Sequence, residues 1–311
     1  MGVAAMTVLV LGGAGFIGRS VVRALQAEHD SVRVLDRHGP PVGGREAGVE
    51  RWHVGELEDA GALRELLAGC DAVVHLAAGA VPARSESAWM SDAASQVLPA
   101  IALLEAMHAS GVRRLVFLSS GGSVYGRTAR EPVREDHAAE PVSAYGLSKL
   151  LVEQCIGLQR RLRRVDPVVL RVGNAYGEGQ DGARGQGVVA SFVADALADR
   201  PLRVMGDGST VRDYVHVDDV AAGVLAALRY RGAQDTFNVG SGVGRSIDEV
   251  VAALERALGT RLAVRRLEAR PFDVGYNVLD CGRALRELGW RARVAFDDGL
   301  AATIAWQRGR S

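Results

Sequence analysis

What this chain lacks first is net charge: Lys and Arg total 37, and so do Asp and Glu. With no surplus of positive charge there is no global field to draw it onto nucleic acid or an acidic membrane, so any anion it binds is held by local groups. Cysteine is scarce. Cys70, Cys155 and Cys281 stand far apart without CxxC spacing, which argues against a zinc site or a disulfide framework and for a reducing compartment. The apolar residues 1–11 carry no basic leader, and no later apolar run is long enough to span a bilayer. Tandem repeats and low-complexity tracts are missing too. These absences leave a cytoplasmic protein with no metal, no nucleic acid and no membrane as partners.

What is present suits a sizeable core: 48% of residues are hydrophobic and 24% charged. Short Val/Leu-rich runs at 7–11, 32–36, 72–76, 115–119 and 168–171 alternate with helical patterns at 16–27, 60–67, 95–108 and 143–165. Strands without polar alternation are covered on both faces, so the pattern predicts an α/β fold: a Rossmann doubly wound parallel sheet. Beyond 173 the texture turns Gly- and Arg-rich. The expected division is a dinucleotide-binding domain over 1–172 and a smaller mixed α/β substrate-binding lobe over 173–311. The runs 214–217 and 237–239 are expected to return to the main sheet.

Directly after the first run comes Gly12-Gly13-Ala14-Gly15-Phe16-Ile17-Gly18, leading into a helix. Missing Cβ atoms let such a turn be tight and bring backbone N–H groups and a helix N-terminus to a pyrophosphate. The second strand ends at Asp36, whose carboxylate suits both ribose hydroxyls of NAD. The adjacent Arg37 leaves a ribose phosphate, and so NADP, open.

The chemistry-bearing segment is Tyr145-Gly146-Leu147-Ser148-Lys149, which puts a phenol and an ammonium on one helix face. A free tyrosine, with a pKa near ~10, is a poor base at neutral pH, but a neighbouring cation favours its phenolate. Upstream, Ser119-Ser120-Gly121-Gly122-Ser123-Val124-Tyr125-Gly126 lies at the end of a predicted strand, the edge where open α/β sheets bind ligands.

With His75-Leu76-Ala77-Ala78, Leu170 to Gly177 and Val211 to Asp219, these motifs occur in an order that resembles the extended short-chain dehydrogenase/reductases, of the NAD-dependent epimerase/dehydratase type, over nearly the whole chain. Within them the sequence is most similar to the UDP-glucose 4-epimerase group. That resemblance implies pyrophosphate on Gly12, Gly15, Phe16 and Ile17, and adenosine near Asp36, Arg37, Glu56 and Leu57. The nicotinamide half falls near Leu76, Ala77, Ala78, Ser119, Tyr145, Lys149 and Val172. It also implies a UDP-sugar met by Ser120, Ser123, Tyr145, Asn174, Val188, Arg212, Arg270 and Asp273, and a homodimer packed through the 95–108 and 143–165 helices.

Two positions depart from the family pattern. Many epimerases carry their catalytic Ser or Thr where this chain has Gly121, so the hydroxyl assisting Tyr145 is expected from Ser123, with Ser120 as the substitute. The helix that often gives an Asn to the cofactor reads Ser95-Gln96-Val97-Leu98-Pro99, making Gln96 the stand-in and Pro99 a marker of a late helix start. The reaction implied is inversion at carbon four of a nucleotide hexose with bound NAD. A nucleotide-ketosugar reductase is the alternative; a dehydratase is disfavoured because no acid stands at 121–123, and a noncatalytic binding module because the Tyr, Lys and hydroxyls are intact. Arg84 and Arg184 are candidates to meet an acidic sugar.

Overall fold

A computed structural model of the chain describes residues 5–40, 48–77, 89–129, 131–182, 187–269 and 273–309. Its first half runs β1 (Thr7–Leu11), α1 (Phe16–Ala27), β2 (Ser31–Asp36), β3 (Val49–Val54), α2 (Ala60–Leu67), β4 (Ala72–His75), α3 (Trp89–Ser110), β5 (Arg114–Ser120), the one-turn α4 (Gly121–Val124), α5 (Ala144–Arg161) and β6 (Asp166–Val172). The second half continues with β7 (Asn174–Tyr176), α6 (Val188–Leu197), β8 (Leu202–Met205), β9 (Val211–His216), α7 (Val217–Arg229), β10 (Thr236–Val239), β11 (Gly244–Ser246), α8 (Ile247–Leu258), β12 (Val264–Leu267), β13 (Tyr276–Asn277) and α9 (Phe296–Arg308).

Seven strands form one parallel sheet in the order β10-β6-β5-β4-β1-β2-β3. Strand alternation sends Val8 and Val10 into a core shared with Val21 and Leu25 of α1 and Val220 and Val224 of α7. Leu9 and Leu11 enter the opposite core, against Leu63 of α2, Leu103 and Met107 of α3, and Val152 and Ile156 of α5. Each fully buried aliphatic side chain of these layers contributes about 1.5–3 kcal/mol relative to exposure. The chain reverses direction across the sheet between β3 and β4, so a crevice opens beyond the carboxyl ends of β1 and β4.

Of the two short runs expected to return to this sheet, 237–239 lies in it as part of β10, paired with β6. Residues 214–216 do not. They belong to β9, which pairs with β7, β11 and β13 in a separate small sheet, and residue 217 already starts α7. A third core joins Phe192 and Val193 of α6, Leu202 and Val204 of β8, Val250 and Leu254 of α8, and Phe296, Leu300 and Ile304 of α9.

Pro99 does not delay α3: it lies inside the 22-residue helix. Its ring removes the one amide that would bond the carbonyl of Ser95, a local loss that the apolar packing of Ala100, Leu103 and Leu104 outweighs. Among the described residues no helix is long and apolar enough to cross a membrane.

Candidate active site

The glycine turn sits where β1, β2 and β4 end. Gly12 donates from its amide to Leu35 at 2.9 Å and has a φ of 87°, and a Cβ there would lie 2.9 Å from the Ala77 amide nitrogen. A Cβ at Gly18 would overlap the Gly12 carbonyl oxygen, so the helix can press against its own loop only at a glycine. Gly15 caps α1 without a side chain, leaving Phe16 and Ile17 in its first turn. A cradle that Cβ atoms would fill, ending in a helix N-terminus, fits a pyrophosphate.

Asp36 holds this cradle from β2. One of its oxygens accepts the Ala14 amide at 2.9 Å, the other the His38 amide at 2.9 Å. Oδ2 keeps a second lone pair for a ribose hydroxyl, while Oδ1 also has the His38 Nδ1 at 3.3 Å. Arg37, the group that could favour a ribose phosphate, lies 3.8 Å from the exposed Glu56 carboxylate, which offsets its charge. Leu57 and Ala77 both pack against the core, and the Leu76 amide donates to the Leu11 carbonyl at 3.0 Å. Gln96 is buried on α3 and Val172 at the end of β6. The residues present therefore fit a dinucleotide with an unphosphorylated ribose.

On the other side of the crevice, α5 begins at the Ser143 cap, which accepts the Gly146 amide at 3.1 Å and puts Tyr145 in the first turn. Lys149 follows one turn later and is buried. Its ammonium donates to the Leu118 carbonyl at 3.2 Å and lies 4.9 Å from the Phe117 ring centroid and 5.8 Å from that of Tyr145. Burial, then the Lys149 charge, lowers the His75 imidazole to about 3, so this histidine stays neutral behind the lysine.

Ser120 caps α4, and its hydroxyl donates to that of Ser123 at 3.1 Å. A Cβ at Gly146 would come 2.5 Å from the Ser123 carbonyl oxygen, and one at Gly122 3.2 Å from Oδ1 of Asn174. These approaches bring the α4 turn, the first turn of α5 and Asn174 together. Ser119 points elsewhere: its hydroxyl donates to the buried Glu153, so its side chain is committed to the protein interior.

Gly121 is glycine for a steric reason. A Cβ there would lie 2.7 Å from Cδ1 of Leu279 and 2.9 Å from the Arg171 carbonyl oxygen. Gly121→Ser, which would restore the hydroxyl of the family pattern, is expected to cost about 1–3 kcal/mol by overpacking and to bring no gain in turnover. Urea unfolding beside an activity assay checks this; a variant as stable as the parent and faster would place the working hydroxyl at 121.

Arg212, on β9, donates to the carbonyls of Val211 at 2.9 Å and Val274 at 2.5 Å, in the segment that follows Asp273. Burial weakens its hold on the proton, opposed by Tyr214 and Asp273, but a guanidinium remains charged in a protein. Val188 is the first residue of α6. Ala78, Arg84, Arg184 and Arg270 lie outside the described residues.

Sequence reasoning assigns no role to three buried charges beside the site. Glu153 on α5 bonds Arg171 on β6, and Asp213 ties β9 to the 240–242 segment. A signal is there: Arg171 interrupts the apolar run 168–172, and a charge in a strand covered on both faces needs a buried partner.

Known proteins share this sequence pattern and fold. The chain is 35% identical over 320 aligned residues to the UDP-glucose 4-epimerase of Mycolicibacterium smegmatis, covering 98% of this chain and all of that one. It superposes with a TM-score of 0.92 and 33% identity on a UDP-glucose 4-epimerase of Thermotoga maritima with UDP-glucose, over 98% of this chain and 99% of that one. The Thermus thermophilus UDP-glucose 4-epimerase in complex with NAD matches with a TM-score of 0.90 and 34% identity, over 98% and 100% of the two chains. The family model for NAD dependent epimerases and dehydratases matches residues 8–240, from the first strand through β10, and the chain belongs to that family, with NAD as its cofactor.

Proposed function

We propose that this chain is a nucleotide-sugar 4-epimerase, inverting carbon four of a UDP-glucose or UDP-galactose type hexose through a transient ketosugar, in the cytoplasm. What supports the reading is that the first turn of α5, which carries Tyr145 with Lys149 one turn on, packs on the α4 turn that carries the Ser120–Ser123 hydroxyl pair, and that this turn's sequence offers no carboxyl group for removing water.

NAD supplies the hydride acceptor and donor. Gly12, Gly15, Phe16 and Ile17 would hold its pyrophosphate and Asp36 its adenosine ribose, with Ala77, Lys149 and Val172 lining the nicotinamide half. Tyr145 takes the proton of the 4-hydroxyl and returns it to the opposite alcohol, so no proton is gained or lost over the cycle. The Lys149 ammonium favours the phenolate that this requires. Ser123, steadied by Ser120, donates to the same sugar oxygen. Inversion requires the sugar to turn between the two half-reactions, so its tether has to be the diphosphate. Arg212, a desolvated cation, is the described group best suited to hold it, with Asn174, Val188 and Asp273 alongside and Arg270 from the neighbouring segment.

Incubation with a panel of nucleotide sugars tests the reading. The expected result is a hexose epimer with no stoichiometric change in free nicotinamide absorbance. Steady oxidation of added NADH or NADPH by a supplied ketosugar, with no epimer from any hexose, makes the chain a ketosugar reductase instead.

The assembly proposed with this function is a homodimer. α3 and α5 turn Leu98, Ile101, Leu147, Leu151 and Leu158 outward, with Leu98 63% exposed, and isologous packing of two such helix pairs would cover them. Sedimentation at micromolar concentration should give a dimer; a monomer removes this assembly.

A further inference from the structure

Glu153 stands four residues beyond Lys149 and eight beyond Tyr145, on the same face of α5. Its buried carboxylate accepts the Ser119 hydroxyl and a forked pair of bonds from Arg171. The Arg171 Nε lies 3.2 Å from both oxygens and Nη2 2.7 Å from Oε2. Ser119 and Arg171 are register partners on β5 and β6, so one side chain of the helix straddles the carboxyl ends of two strands. The residue before Ser119 is Leu118, whose carbonyl receives Lys149. On its far side the Arg171 guanidinium lies 4.9 Å from the ring centroid of Tyr125, the C-cap of α4. The Tyr125 hydroxyl is in turn anchored to Asn238 of β10 at 2.6 Å.

Such a pair is a poor source of stability, because the cost of desolvating two charges offsets their attraction and shape-matched apolar side chains do as well. Burial alone would lower the Arg171 guanidinium, yet the Glu153 bonds more than reverse this and hold it above its ordinary value. What an ion pair supplies that an apolar contact does not is a fixed length and direction.

We propose that Glu153 and Arg171 are positioning residues, a buried strut that sets α5, with Tyr145 and Lys149, against the α4 turn that carries Ser120 and Ser123. The proposal rests on Tyr145 and Lys149 being the proton-handling pair, so its test does not depend on turnover alone. Among the described residues, the neutral His75 from β4 faces Lys149, and Tyr125 and Glu135 lie beside Arg171.

The variants are Glu153→Gln and the apolar exchange Glu153→Leu with Arg171→Met. Each is made with and without Tyr145→Phe, so that the difference in phenolate absorbance reports Tyr145 alone. In the double variant, whose net charge is that of the parent, the Tyr145 titration midpoint is expected to rise by about one pH unit as Lys149 loses its setting. Turnover falls about tenfold or more, with KM within about twofold, and the double variant unfolds within a few degrees of the parent. A midpoint unmoved in the double variant overturns the proposal, and so does full kcat. A double variant too unstable to titrate also overturns it, since the pair is then held for stability. If the parent turns over no nucleotide sugar, the substrate reading fails, and the absorbance titration still decides the strut.

Discussion

Tyr145→Phe should slow turnover by about 10²–10⁴-fold, the range associated with losing a positioned acid–base group, and leave folding and NAD binding close to the parent. The substitution deletes one oxygen from the half-buried first turn of α5. It leaves the Ser143 cap, the Lys149 bond to Leu118 and the glycine cradle untouched. KM should change little, because in the proposed mechanism the phenol acts on a proton in flight and not on the diphosphate. Lys149→Met is the informative companion: it removes the buried cation proposed to favour the phenolate and to line the nicotinamide half, so it should damage both cofactor affinity and turnover. Initial rates on the nucleotide hexose that turns over best, with calorimetric titration of NAD, separate the two. Near-normal rates for Tyr145→Phe would take the proton-carrier role away from it.

The parts of this site legible in the sequence are those built from local spacing. The five apolar runs are strands because strands buried on both faces carry no polar alternation, and the glycine turn and the Tyr–Lys pair each lie within a few residues of chain. β3 is not legible in this way. Its sequence, Val-Glu-Arg-Trp-His-Val, sits at the sheet edge with its side chains exposed or half-exposed, so it carries neither an apolar run nor clean alternation. The length of α3 is hidden by a proline that tertiary packing tolerates. The Ser119 side chain cannot be assigned from its motif, because which of three neighbouring serines faces the crevice depends on Glu153, distant in sequence and adjacent only after α5 docks. The same holds for Gly121: the sequence shows a missing hydroxyl, and only the approach of Leu279 and the Arg171 carbonyl shows why a side chain is excluded there.

Asp213→Ala should be the most destabilising of these substitutions, because one carboxylate accepts from several donors at once in the interior. Asp213 is fully buried on β9. Its Oδ1 accepts the Ser241 amide and hydroxyl, each at 2.7 Å, and its Oδ2 accepts the amides of Gly242 at 3.1 Å and Leu279 at 3.2 Å. It thereby joins the strand that carries Arg212 to the chain leaving β10 and to the residue packed against Gly121. Alanine strips three backbone donors of this partner, at about 1–3 kcal/mol each where they stay dry, a large share of a typical total of about 5–15 kcal/mol. Asp213→Asn keeps the shape but turns an N–H₂ toward an N–H, so it should fall between the parent and the alanine variant. The two polar versions should also differ with pH. Burial raises the Asp213 carboxyl above the ordinary carboxylate value, against the pull of its hydrogen bonds, so the native state binds the proton more tightly than the unfolded chain. Its contribution to stability is then full below the ordinary carboxylate pKa and declines as pH rises through the raised native value. The advantage of the parent over Asp213→Asn should therefore narrow with rising pH across that window. Urea unfolding of all three proteins at several pH values measures this. An alanine variant as stable as the parent would show that water reaches these amides and that Asp213 does not hold the two segments together.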